Sequence, residues 1–203
     1  MRPSVTVAVT SALASVGALA FACPASAADP VWTVVNPGTT SDITATGPFS
    51  MRSADGFIDV TCQSLITQGS IPSRSSTSAQ LGSIFGTGGI NCIDTTGQKW
   101  NFRIPDSGWM YMSGYDASTG RTSLRISTLL SLAYNSAGSC MLVFRTLAGS
   151  YTNDGSTLKI LSSPAEVPTK EDGTSACPGF TDGSTITFTD DLKVTPAVTI
   201  TAS

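Results

Sequence analysis

The sequence of 203 residues contains no histidine. This absence excludes Ser-His-Asp and Cys-His nucleophiles, acid–base catalysis by histidine and the commonest zinc ligand. Charge is also scarce, since charged residues make up 12% of the chain, against about 25% in an average soluble protein. Lysine and arginine form no cluster and the net charge is −3. We therefore expect neither nucleic acid nor an anionic membrane as a partner.

The catalytic motifs that do occur are incomplete. Asp106-Ser107-Gly108 is similar to the segment around a protease serine, but no histidine is present to act as the base. Ser156 and Lys159 have the S-x-x-K spacing, which works on a helix, whereas a strand puts them on opposite faces. The remaining route is a carboxylate pair such as Asp55 and Asp59, because a glycosidase needs two acids about 5 to 9.5 Å apart. We expect a protein that is not an enzyme and uses no cofactor or metal.

Residues 1–27 have the organisation of an export signal. Arg2 provides the positive start, residues 5–21 are apolar or small, and Ala25-Ser26-Ala27 is an A-x-A cleavage site. The run is too short and too rich in alanine and serine for a spanning helix, which needs about 20 apolar residues. The alternative is a lipoprotein anchored at Cys23, because the preceding residues loosely resemble a lipobox. We expect a secreted, extracellular protein with no later transmembrane helix.

The remaining residues, 28–203, are predicted to form a single domain, since folding buries roughly 70% of the surface of a chain of this size. Helix formers are scarce, and short alternating runs are separated by Gly, Pro, Asn and Asp, a pattern typical of all-β proteins. In one such run Trp100, Phe102 and Ile104 share a strand face. We expect one antiparallel β-sandwich or β-barrel with two disulfides.

Turn residues indicate where these strands end. Asn153-Asp154-Gly155 predicts a hairpin, because glycine supplies the positive φ that a tight turn needs. Residues 68–89, rich in Ser and Gly, and residues 162–183, rich in Pro and charge, are predicted to be long loops. Residues 194–200 predict a closing strand, which is an edge strand or is bulged because Pro196 cannot donate a backbone hydrogen bond.

Four cysteines follow the predicted signal, namely Cys62, Cys92, Cys140 and Cys177. Four cysteines permit three pairings. The two halves of the chain resemble each other, because in each a cysteine starts an apolar strand ending in Gly-Ser and a second cysteine precedes a turn with Asp and Gly. This echo favours sequential pairing, Cys62 with Cys92 and Cys140 with Cys177. The disulfides are expected to be structural, since a redox pair needs a motif such as C-x-x-C.

These landmarks resemble a family of secreted actinobacterial four-cysteine β-proteins whose function is not established. The shared features are an early Val-Trp-Thr-Val, four spaced cysteines, a Trp followed by Tyr-Asp-Ala-x-Thr-Gly, and a closing Thr-Pro-x-x-Thr-Ile. The matching residues are 31–34, the four cysteines, Trp109, 115–117, 119–120, 195–196 and 199–200. The resemblance implies a secreted β-protein and brings no catalytic residue with it.

Four aromatic residues form the candidate ligand-binding group, namely Trp100, Trp109, Tyr111 and Tyr115. They fall on what should be adjacent strands. Flat aromatic faces on a sheet can stack on sugar rings or take part in a protein interface. The interpretation that the pattern favours is structural: Trp100 with Phe102, and Trp109 with Tyr111, would fill the core.

The function we expect is that of a non-catalytic secreted protein, which binds a cell-wall polysaccharide or another extracellular protein. Two alternatives fit the same composition. One is an inhibitor of secreted hydrolases that presents residues 164–178 as a rigid loop. The other is a β-barrel pore of a mycolate outer layer, because the alternation in residues 185–189 also suits a barrel wall. Lipid-facing strands should run to about 9 to 11 residues, and most runs here are shorter.

Overall fold

The computed structural model describes residues 29–104 and 107–203. The predicted export signal with Cys23, and Asp106 of the Asp-Ser-Gly motif, lie outside the described residues. Within those ranges the chain forms fifteen β-strands, one 3-10 turn and no α-helix, which confirms the all-β prediction. The described part of the chain has no helix that is long and apolar enough to cross a membrane.

The strands, numbered in chain order, are β1 (Trp32–Val35), β2 (Asp42–Ser53), β3 (Asp59–Ser70), β4 (Arg74–Ser76), β5 (Gln80–Ile90), β6 (Cys92–Asp94), β7 (Lys99–Ile104), β8 (Gly108–Asp116), β9 (Arg121–Asn135), β10 (Met141–Thr152), β11 (Thr157–Ile160), β12 (Ser163–Pro164), β13 (Thr185–Asp190), β14 (Leu192–Thr195) and β15 (Thr199–Ala202). Their side chains alternate between core and solvent. In β13, for example, Ile186 and Phe188 are buried while Thr185, Thr187 and Thr189 are exposed.

The main sheet closes on itself in a ring. Antiparallel pairing runs from β2 through β3, β5, β8, β9, β10, β11 and β14, and then back to β2. A separate three-stranded sheet has the order β15-β1-β4. Register shifts interrupt several of the pairings, including β2 with β3 and β8 with β9. Such shifts bend and twist a sheet, which helps it to close.

The ring is not a true barrel, because four of its strands, β2, β3, β5 and β9, change partner part-way along. β2 pairs with β14 through residues 44–46 and with β13 through residues 49–53. β5 pairs with β8 through residues 80–84 and with β7 through residues 87–88. The sheet therefore branches at these strands, and β7 and β8 lie end to end between β5 and β9.

A cluster of phenylalanine rings lies at the centre of the core. Phe49 of β2 contacts Phe102 of β7 edge-on at 4.8 Å and stacks on Phe188 of β13 at 5.6 Å between ring centroids. Phe144 of β10 meets Phe188 edge-on at 5.3 Å. Edge-on and offset pairs at these distances are favourable beyond the area that they bury. The cluster joins strands from opposite sides of the ring.

The two disulfides are Cys62–Cys92 and Cys140–Cys177, so the sequential pairing is confirmed. The first joins β3 to the start of β6, and the second joins the residue before β10 to the segment that follows β12. All four cysteines are buried. Their sulfur atoms are part of the packed interior, as expected of structural disulfides.

Two predictions about chain segments need correction. Residues 68–89 are not a loop, because β3 continues to Ser70 and the segment then forms β4 and most of β5. The closing segment is not one strand, since β14 ends at Thr195, Pro196 follows, and β15 joins the other sheet. A proline has no N–H to donate, so the ladder stops there. The hairpin at residues 153–155 is confirmed, with Gly155 at φ 70°.

Candidate functional site

Trp100 is a core residue and is not available for stacking. It is buried on β7 beside Phe102, as the sequence favoured. Its indole Nε1 donates a hydrogen bond to Asp94 Oδ2 at 2.9 Å. The other oxygen, Asp94 Oδ1, accepts the backbone N–H groups of Thr96 and Gln98 in the turn between β6 and β7. Burial acts to raise the pKa of Asp94, but the hydrogen bonds from the Thr96 hydroxyl, the Trp100 indole and the two backbone N–H groups together lower it. The indole therefore fixes this turn.

Tyr115 lies apart from the other three residues of the candidate ligand-binding group. A register shift between Met112 and Gly114 separates it from the first part of β8, and its ring packs partly buried against the core. It lines a pocket of about 360 Å³ together with Trp32 of β1 and Ala202 of β15. Trp32 is itself buried. Tyr115 therefore contributes to the contact with the small sheet.

Trp109 and Tyr111 share the outward face of β8. Met110 and Met112, which alternate with them, are buried. The indole of Trp109 is 46% exposed, and Tyr111 is half-buried. The interpretation that these two residues fill the core is therefore wrong for Trp109, because the methionines occupy the inward positions.

The neighbouring strands surround this pair with short polar side chains. Ser83 of β5 and Ser127 of β9 lie directly opposite Trp109, one on each side. Phe85, two residues beyond Ser83 on the same strand, is 40% exposed, and residues two apart on a strand share a face. Arg125 of β9 lies opposite Tyr111. We call this group of outward residues on three adjacent strands the Trp109 face: Ser83, Phe85, Trp109, Tyr111, Arg125 and Ser127.

Arg125 is held over the ring of Tyr111. Its Cζ atom lies 5.3 Å from the ring centroid, within the range of a cation–π interaction. The Arg125 guanidinium therefore extends the aromatic surface of the Trp109 face onto the neighbouring strand, β9.

A shallow pocket of about 260 Å³ borders the face at Phe85. Gln68 lies opposite Phe85 on β3, and Thr44 lies opposite Gln68 on β2. Both line the pocket, together with Asp42. An amide, a hydroxyl and a carboxylate beside an exposed ring are the groups that hydrogen-bond sugar hydroxyls. Sequence reasoning missed Phe85 and this pocket because it read residues 68–89 as a loop.

The carboxylates considered for catalysis have structural partners. Asp59 pairs with Arg52 at 3.4 Å. Asp55 accepts hydrogen bonds from the hydroxyl of Ser53 and the N–H of Phe57, and these bonds lower its pKa. A general acid needs the opposite shift. Residues 29–104 and 107–203 contain no group of three side chains that could hold a metal ion.

The loop considered for inhibition ends in an exposed turn. Within residues 164–178, Thr169 bridges Ser175, and the N–H of Gly173 donates to the carbonyl of Lys170 at 2.9 Å. Cys177 anchors its far end to Cys140. The tip is a tight hydrogen-bonded turn rather than an extended segment.

Comparison with known proteins gives no match of this chain to a family model, to a curated protein or to a solved structure.

Proposed function

We propose that this protein is a secreted, non-catalytic binding protein that holds a cell-wall polysaccharide against the Trp109 face. The observation that carries the proposal is an exposed indole beside a tyrosine on one strand face, with serine hydroxyls on both sides. Indole and phenol rings offer flat apolar surfaces to the C–H faces of sugar rings. The flanking hydroxyls and the pocket at Phe85 can bond the hydroxyls at the edges of those rings.

The cellular setting is part of the proposal. Two structural disulfides are typical of an oxidising, extracellular compartment. The export signal predicted for residues 1–27 and the resemblance to secreted actinobacterial four-cysteine proteins support the same location. At that location, the polysaccharide of the cell wall is the one nearest to the protein.

Co-sedimentation with insoluble cell-wall polysaccharide tests the proposal. Trp109→Ala and Tyr111→Ala should each weaken binding by about tenfold, which corresponds to 1.4 kcal/mol. Phe57→Ala is the matched control. Phe57 is a 50% exposed aromatic residue outside the Trp109 face, against Phe180, and its loss should leave binding unchanged.

Two results would overturn the proposal. One is a wild-type protein that stays in solution with every wall fraction. The other is an equal loss for all three variants, which would show that the Trp109 face has no special part in binding. If instead Trp109→Ala abolished the capture of one extracellular protein while polysaccharide binding persisted, the face would be a protein interface.

A further inference from the structure

Arg125 is the one charged residue of the Trp109 face, and in the described part of the chain no carboxylate pairs with it. Three pairs account for most of the exposed ionic contacts in the described residues: Arg52 with Asp59, Arg145 with Glu166, and Lys159 with Asp191. No ion pair within residues 29–104 and 107–203 involves Arg125, although acidic residues outnumber basic ones by 14 to 11. An unpaired guanidinium in an acidic protein is free to bind an external anion.

The surroundings of Arg125 hold its guanidinium ready for such an anion. Tyr111 lies opposite it on one side, and the small, exposed Ala148 of β10 lies opposite on the other. The guanidinium carbon of Arg125 lies over the Tyr111 ring, and among the described residues no ion pair with a carboxylate occupies its N–H groups. A guanidinium fixed in this way loses little entropy when its fork meets a planar carboxylate.

We propose that the polysaccharide bound by the Trp109 face is a uronic-acid polymer, with Arg125 pairing one sugar carboxylate while an adjacent sugar stacks on Trp109. This inference rests on the proposed function and names its ligand class. One cation beside an aromatic platform fits a polymer with a single charge on a sugar ring. The net charge of −3 disfavours a polymer with several anionic groups on each sugar, because the rest of the surface would repel it more strongly.

The test compares oligogalacturonate with the same oligosaccharide after reduction of its carboxyl groups to alcohols. The two probes have the same chain and linkage and differ only in the charged group. Calorimetry on the folded, exported protein should give about tenfold tighter binding of the acid, and added salt should reduce this preference.

Arg125→Gln should abolish the preference for the acid and leave binding of the reduced probe unchanged. Arg121→Gln is the matched control, since Arg121 is also exposed on β9, four residues away and opposite Asp116. It should keep the preference. Circular dichroism would confirm that both variants are folded.

Equal binding of the two probes by the wild type, or a preference that survives Arg125→Gln, would overturn the inference. So would a wild type that binds neither probe. Failure of this inference can be told apart from failure of the proposed function. If the face binds a neutral polymer, Trp109→Ala would still reduce sedimentation with the cell-wall polysaccharide. Loss of that effect as well would remove both proposals.

Discussion

At the scale of single residues, Asp190 is a charged group in an unfavourable place. It is 7% exposed at the end of β13, and both of its oxygens accept the N–H of Ile160, at 3.0 and 2.9 Å. Burial raises the pKa of Asp190 to about 6, and neighbouring Asp191 adds to the rise, while the N–H of Ile160 and the charge of Lys159 oppose it. The folded protein therefore holds this proton more tightly than the unfolded chain does.

The sign of the resulting pH dependence follows from linkage. Because the pKa is about 6 in the folded state and 3.8 as the ordinary value, the stabilising contribution of protonated Asp190 is fully present only below pH 3.8. It is lost as the pH rises through 6. At 1.36 kcal/mol per pKa unit, ionisation of Asp190 costs about 3 kcal/mol of folding free energy by pH 7.

Asp190→Asn should remove this cost. The stability of the variant minus that of the wild type should rise by about 3 kcal/mol between about pH 3 and pH 7, as measured by urea unfolding at each pH. Asp191→Asn is the control, because Asp191 is exposed and pairs with Lys159 at 2.9 Å, and its difference should change far less. Parallel stability curves for Asp190→Asn and the wild type would mean that the pKa of Asp190 is not raised.

At the scale of strands, β15 has one partner strand and one covered edge. β1 pairs with one side of it. On the other side, the side chain of Asn153 takes the place of a strand: its Nδ2 donates to the carbonyl of Ile200 at 2.7 Å, and its Oδ1 accepts the N–H of Ile200 at 2.8 Å. The hydroxyl of Tyr151 also donates to the carbonyl of Val198. A polar side chain thus closes an edge that would otherwise invite pairing with another chain.

Asn153→Ala should expose this edge. Leaving two backbone groups of Ile200 without partners should cost about 1 to 3 kcal/mol, and the amide of Ile200 should exchange with deuterium faster than its neighbours in β1. Asn101→Ala is the control, since Asn101 is exposed on β7, and it should alter neither quantity. Unchanged exchange at Ile200 in Asn153→Ala would show that the side chain does not hold this edge.

The strands that sequence reasoning missed have irregular register. In β5, Leu81 and Ile84 are both buried although they are three residues apart, because a register shift between Gln80 and Gly82 breaks the alternation. Period two is the main signal of a half-buried strand. A bulge removes that signal. The Ser and Gly content of residues 68–89 is then typical of a loop.

For a different reason, the sequence could not show whether the side chain of Trp109 points into the core or toward solvent. Trp100 and Phe102 alternate with Lys99, Asn101 and Arg103, so the inward face of β7 was evident. The run from Trp109 to Met112 is apolar on both faces, and alternation says only that Trp109 and Tyr111 point the same way. In the folded protein the two methionines of this run, Met110 and Met112, are the buried residues. The aromatic pair could be found from sequence, but its exposure could not.

At the scale of the whole molecule, the two disulfides constrain different parts of one ring. Cys62–Cys92 joins β3 to β6 in the main sheet and spans 30 residues, whereas Cys140–Cys177 spans 37 residues and ties the segment after β12 to the start of β10. In the chain-entropy account, loops of this length contribute about 3 to 4 kcal/mol each by restricting the unfolded chain. If residues 28–203 are one domain, both contributions belong to the same cooperative transition.

Paired replacement of each disulfide tests this. Cys62→Ala with Cys92→Ala, and Cys140→Ala with Cys177→Ala, should each lower the unfolding free energy by about 3 to 4 kcal/mol and keep a single urea transition. Each double variant serves as the control for the other. Only the variant that lacks Cys140–Cys177 should also be cleaved faster by proteases within residues 164–178. Two separate transitions in either variant would contradict the single-domain prediction. An unchanged midpoint would mean that packing, including the phenylalanine cluster, already fixes the chain without that bond.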